Sequence, residues 1–221
     1  METPPPFEPD IFFEAVSASP DIGVTVLTRF GRVTYANPAA RVLFYGDDRF
    51  DPVGKTIEEI EGVEFARKRM ALIAEVCRSR RPHAIRHVRL GQRIESDLYP
   101  YAHHGDDGPV DRVLCLTRRL SGGAAMEANL PTFDSRIATW GELSPLTPRE
   151  LQTLALIAQG QTQKQVAAAL GVSVKTVETH RTSIGRKLHA QSVPDLCRFA
   201  ARAGLQLDDA SLRRQRGAAW A

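Results

Sequence analysis

Hydrophobic spacing changes character partway along the chain. Up to about residue 120, short β-branched runs alternate with helical stripes, and beyond residue 140 every apolar stripe recurs at helical spacing. In the front half, Pro9 to Val16 predicts a short helix carrying Phe12 and Phe13. Val24 to Leu27 and Val33 to Ala36 flank Arg29-Phe30-Gly31 and predict a hairpin. Asn37 followed by Pro38 is a helix start, with an amide side chain to cap and proline at the first helical position. Ala66, Met70, Ile73 and Cys77 form one helical stripe, and three strands are predicted near 84–90, 93–102 and 110–118. Two strands, then helices, then three strands predict an α+β fold whose front half is an antiparallel sheet with flanking helices.

The back half predicts four short helices with clear punctuation. Thr147-Pro148-Arg149-Glu150 is a capping box, Leu151, Leu154, Ala155 and Ala158 form a stripe, and Gly160 ends it. Thr162 to Gln165 caps a second helix with Val166, Ala167 and Leu170 inward, and Gly171 ends it. Ser173 caps a third helix running to about His189. Ser192-Val193-Pro194-Asp195 caps a fourth, with Leu196, Phe199, Ala200 and Ala203 on one face. Between the halves, Ser121-Gly122-Gly123 interrupts order, Ala124 to Asn129 predicts a short helix, and Pro131 stops it. The expected division is a front domain over 10–120, a linker over 121–143, a helical domain over 144–206, and a basic tail over 207–221 that frays.

The 221 residues carry a net charge of only +3, but residues 144–221 hold 11 Lys/Arg against 5 Asp/Glu, leaving the front half mildly acidic. A basic back half suits a polyanionic partner. No apolar run reaches membrane-spanning length, and the Pro-rich, acidic start lacks the pattern of a secretory signal, so a cytoplasmic protein with no membrane partner is expected. Cys77, Cys115 and Cys197 are scattered and odd in number, which argues against disulfides or a zinc finger and for reduced, buried thiols.

The second and third helices of the back half, joined by Gly171-Val172, form a helix-turn-helix, a unit that can place its second helix in the major groove. With Val177 at zero on a helical wheel, Ile184 and Leu188 lie within about 20 degrees and Arg181 at about 40, defining the buried side. Lys175, Glu178, Thr179, Thr182, Ser183 and Arg186 occupy the opposite arc. The cations can meet phosphates, the hydroxyls phosphate or base, and Glu178 a cytosine amino group. The helix starts at Thr162 and Ser173 offer free backbone N–H groups to phosphates. A solvated face on a small helical bundle has the same pattern.

Leu146-Thr147-Pro148-Arg149-Glu150, Leu154, Ala158-Gln159-Gly160, Lys164, Val166-Ala167, Leu170-Gly171-Val172-Ser173, Thr176-Val177, His180-Arg181, Ile184 and Lys187-Leu188 resemble the LuxR-type DNA-binding domain. The resemblance implies an internal ion pair between Glu150 and Lys187. It also implies base-edge positions at Glu178, Thr179 and Thr182, and dimerisation through the fourth helix, here Leu196, Phe199, Ala200 and Ala203. Gln165 stands where the family usually has glutamate. The expected DNA-contacting set is Thr162, Lys164, Ser173, Lys175, Thr176, Glu178, Thr179, Thr182, Ser183 and Arg186.

Asp21-Ile22-Gly23-Val24, Gly31 to Ala40, and Val53-Gly54-Lys55 resemble the opening strands, first helix and following loop of a PAS sensor domain. The expectation is a cytoplasmic, homodimeric, non-enzymatic transcription regulator that binds double-stranded DNA, with RNA polymerase as a further candidate partner. No cofactor is required by the sequence, and the PAS-like domain leaves room for a small ligand. No histidine lies between Ile60 and Arg81, where haem-binding relatives often place an axial ligand. No tryptophan precedes residue 140, unlike the acyl-homoserine-lactone receptors of the family. Two alternatives compete: a sigma-factor-like subunit, which requires an all-helical front half, and a metalloenzyme built on His103, His104, Asp106 and Asp107, a loop better read as a polar turn.

Overall fold

A computed structural model describes residues 9–102, 110–120 and 130–214. The chain divides into two units: residues up to 83 with 96–118, and residues 84–95 with the chain from 119 onward. The helix expected over Ala124 to Asn129 and the histidine–aspartate loop lie outside the described residues.

The first unit contains α1 (Pro9–Ala18), β1 (Gly23–Thr28), β2 (Val33–Ala36), α2 (Pro38–Tyr45), α3 (Ile57–Glu61) and α4 (Val63–Ser79). The second half of β4 (Gln92–Tyr101) and most of β5 (Arg112–Arg119) complete it. β1 pairs antiparallel with β2 on one side and β5 on the other, and β4 neighbours β5. This is the antiparallel sheet with flanking helices that the PAS resemblance implies. Asn37 ties the hairpin to α2. Its Oδ1 accepts from Val24 N at 2.8 Å and Ala40 N at 2.9 Å, and its Nδ2 donates to the Ser17 and Ile22 carbonyls, each at 2.9 Å.

Helix α4 buries a face centred slightly away from the predicted stripe. Ala66 and Ile73 are buried as expected, but Phe65, Arg69, Leu72 and Val76 share the inner face, while Met70 and Cys77 are only half-buried. The sequence stripe left out Arg69 because periodicity counts apolar residues alone. All three cysteines are free thiols, and Cys115 is buried.

The second unit contains β3 (His83–Arg89) from Ala84 onward, the first residues of β4, β6 (Thr132–Ala138) and β7 (Arg213–Arg214). Four helices accompany them: α5 (Pro148–Ala158), α6 (Gln163–Leu170), α7 (Val174–Leu188) and α8 (Val193–Ala203). Its strands run in the order β4-β3-β6-β7, with β6 parallel to both β3 and β7. The β3–β4 turn, Leu90-Gly91, has positive φ at both residues and docks on Thr139 and Trp140. A Cβ on Gly91 would lie 2.5 Å from the Trp140 carbonyl oxygen, so only glycine allows that approach.

Two expectations are corrected in this unit. Residues 121–143 are not wholly an irregular linker, because 132–138 form a strand whose ladder partner, β3, is some 50 residues away along the chain. The tail does not fray from residue 207. Leu207–Ser211 form a 3-10 turn in which Asp209 pairs with Arg93 at 3.2 Å, and Arg214 bonds the Ser144 and Leu146 carbonyls. The backbone and ion-pair partners that order these segments come from distant positions, which local spacing does not reveal.

Candidate nucleic-acid interface

All four predicted caps form. Thr147, Thr162, Ser173 and Ser192 each accept from the backbone N–H three residues on, and Thr147, Thr162 and Ser192 complete reciprocal capping boxes. In α6 the N3 residue is Gln165, whose Oε1 accepts from Thr162 N at 2.8 Å and Thr162 Oγ1 at 2.9 Å. The amide therefore makes the bonds a glutamate would make, without the charge. The positive end of the α6 dipole stays uncompensated, which suits a phosphate. Gly171 then turns the chain at φ 66, its N–H held by the Ala167 and Ala168 carbonyls, and Ser173 opens α7.

Helix α7 is held from below by three buried residues. Val177 packs with Leu156, Ile157, Val166 and Ala167, while Ile184 and Leu188 join the larger core of α5 and α8. Outward it exposes Lys175, Glu178, Thr179, Arg181, Thr182 and Arg186. Thr162, Lys164 and Ser173 are also exposed, and Thr176 is half-buried. Arg181 is a correction: the wheel put it on the buried side, but its guanidinium reaches solvent, as a long charged side chain can from the margin of an apolar face. With its amide oriented to satisfy both neighbours, Gln163 donates to Glu178 Oε1 at 3.3 Å and accepts from Arg181 Nη1 at 3.2 Å, linking α6 to the outer face of α7.

The hydroxyls on this face differ in chemistry. Thr179 donates to the Lys175 carbonyl at 3.0 Å, so its oxygen can only accept from outside. The Ser173 and Thr176 hydroxyls bond each other at 2.8 Å. Ser183 is half-buried and turns toward Glu150.

Glu150 is buried at the foot of α7. Lys187 Nζ donates to its two carboxylate oxygens at 2.9 and 2.7 Å, the ion pair the family resemblance implies. Burial pushes the carboxyl up, but the Lys187 ammonium, the Thr147 N–H and Ser183 outweigh it and hold Glu150 down at about 2.

The expected dimer face of α8 is also corrected. Leu196, Ala200 and Ala203 are buried in the unit's own core and Phe199 packs against its margin. A dimer cannot use the first three without opening that core. Apolar spacing marks a buried face but does not say whether the cover is the same chain or another copy. Outward, α8 shows Pro194, Arg198, Ala201 and Arg202.

Among the described residues no helix is long and apolar enough to cross a membrane. Residues 144–200 match the family described as bacterial regulatory proteins, luxR family. The oxygen regulatory protein NreC of Staphylococcus carnosus is 51% identical over 55 residues, 25% of each chain. The transcriptional regulatory protein MctR of Rhizobium johnstonii is 32% identical over 96 residues, 42% of this chain and 44% of MctR. The chain thus spans a quarter to under half the length of these curated relatives. Among solved structures, VqmA of Vibrio cholerae in a complex with ligand and DNA is 19% identical with a TM-score of 0.51, covering 96% of each chain. That likeness is one of fold, and the sequence match places the family more narrowly: residues 144–200 of this chain are a LuxR-type helix-turn-helix domain.

Proposed function

We propose that the chain is a DNA-binding transcription regulator, not an enzyme, whose first unit senses a signal and controls the second. The observation that carries this is the outer face of α7: Lys175, Glu178, Thr179, Arg181, Thr182 and Arg186 are exposed above a buried anchor of Val177, Ile184 and Leu188. Lys175, Arg181 and Arg186 take phosphates, as do the α6 and α7 N-termini at Thr162 and Ser173, with Lys164 beside them. Glu178, Thr179 and Thr182 read base edges. Glu178 and the acceptor-only Thr179 suit base amino groups. Ser183, turned toward Glu150, drops out of the contact set. Two copies read two half-sites about 10 base pairs apart, as one helical turn requires. RNA polymerase is the further partner such a regulator would engage, and the relatives named as regulators support this placement.

Mobility shifts on a selected operator and on random duplexes test the assignment. Arg186→Ala weakens binding on all sequences and flattens the salt dependence, because a phosphate contact and its released counterion are lost. Glu178→Ala or Thr182→Ala changes which sequence is preferred, by about 1–3 kcal/mol per base pair affected. Unchanged preference in both would overturn the assigned face. Signal control is tested on the full chain, because residues 140–221 alone lack Val88 and Ala138 of the core that α5 and α8 complete.

A further inference from the structure

Glu178, assigned above to base edges, and Arg181, assigned to phosphates, stand three residues apart on α7, where side chains at that spacing are neighbours. A carboxylate and a guanidinium so placed pair readily, and both are exposed. Among the described residues no ion pair joins them. The side chain that links them is Gln163 of α6. Its amide nitrogen donates to Glu178 Oε1 at 3.3 Å, and its amide oxygen accepts from Arg181 Nη1 at 3.2 Å. Glu178 can only accept and Arg181 can only donate, so a bridge between them needs one donor and one acceptor at its tip. An amide has both and carries no charge. A carboxylate at 163 would repel Glu178, and an ammonium there would repel Arg181.

The bridge has a fixed root. Gln163 is the first residue of α6, directly after Thr162, whose N–H and hydroxyl are both bonded to Gln165 in the capping box. Gln163 is half-buried, whereas the two side chains it joins are exposed. It takes one oxygen of Glu178 and one nitrogen of Arg181, leaving Glu178 Oε2 for a base amino group and the remaining guanidinium N–H groups for a phosphate.

We propose that Gln163 is a positioning residue for base recognition: it keeps the Glu178 carboxylate from closing on Arg181 and holds it ready for a base. The proposal rests on the base-reading role inferred above for Glu178 and names the side chain that enforces it.

Competition mobility shifts on the full chain compare the selected operator with operators changed at single base pairs, so that discrimination is read as a ratio of Kd values. Glu178→Ala marks the base pair that Glu178 reads, and Thr182→Ala marks another. Gln163→Ala should lower discrimination at the Glu178 base pair about three- to tenfold, the cost of ordering one long side chain on binding, and leave the Thr182 base pair within about twofold. In the Glu178→Ala background it should cost no further discrimination. Gln163→Ala combined with Arg181→Ala should bind every duplex more weakly, for want of a phosphate contact. It should nonetheless regain the discrimination of Arg181→Ala alone at the Glu178 base pair, because no guanidinium remains to capture the carboxylate. Circular dichroism checks that each variant is folded. An unchanged ratio at the Glu178 base pair in Gln163→Ala, a loss spread equally over all base pairs, or a double variant that stays at the Gln163→Ala level would overturn the proposal. If Glu178→Ala itself shifts no preference, the base-reading role fails and the proposal with it. If Glu178→Ala shifts preference and Gln163→Ala does not, the bridge alone is refuted.

Discussion

Replacing Lys187 with methionine tests what holds the DNA-facing helix to its base. The substitution keeps most of the apolar stem and removes the ammonium that bonds both oxygens of Glu150. The side chains are 25% and 5% exposed, so solvent screens the pair only in part. Glu150 falls from an ordinary 4.5 to about 2. That drop, at ~1.36 kcal/mol per pH unit, gives roughly 3 kcal/mol of net stabilisation of the carboxylate. Lys187 shares this with Thr147 and Ser183, so Lys187→Met should cost about 2–3 kcal/mol at pH 7, just under the ~3–5 kcal/mol of breaking a fully buried pair, because Lys187 is partly exposed. A group whose pKa is depressed on folding contributes stability above its unfolded value and loses it as pH falls through its folded value. The gap between wild type and variant should therefore be full above about pH 4.5 and close progressively toward pH 2. Urea unfolding across that range reads it. A gap of equal size at every pH would mean that lost packing, not charge, carries the cost. Glu150→Gln combined with Lys187→Met should recover most of the stability, because a glutamine at N3 can still cap, as Gln165 does in α6.

Three further substitutions probe other links. Asn37→Ala deletes a side chain making four hydrogen bonds, two of them buried and two part-buried, and leaves the Val24 and Ala40 N–H groups unpaired, so a loss of about 3–4 kcal/mol is expected in denaturant unfolding. Gly91→Ala should destabilise by several kcal/mol, since its Cβ meets the Trp140 carbonyl, whereas Gly160→Ala, at similar φ but facing open space, should cost about 1 kcal/mol in the same assay. Gln165→Glu should stabilise α6 by a few tenths of a kcal/mol while weakening DNA binding in mobility shifts, because a carboxylate would compensate the helix end proposed to hold a phosphate.

Legibility followed the range of the physical cause. The helix-turn-helix was readable because each of its boundaries is set within four residues: Thr162 caps α6, Gly171 ends it, and Ser173 restarts the chain. The alternation of β1 and β2 and the Asn37 start of α2 were local in the same way. Arg181 was misplaced because a wheel gives the direction of a Cβ and not the reach of a guanidinium. Strand β6 was missed because its hydrogen bonds go to β3, and Asp209 because its partner is Arg93.

Sequence alone determined the capping chemistry, the apolar anchor beneath α7, and the family of residues 144–200, since each depends on residue types at short fixed spacing. Only the tertiary structure decided what covers each apolar face and what surrounds each buried charge. It put Leu196, Ala200 and Ala203 in the chain's own core rather than on a free face, and it brought Arg69 and Glu61 to one cavity. Burial is a relation between segments far apart in the chain, and periodicity within one segment records that a face is hidden without recording by what.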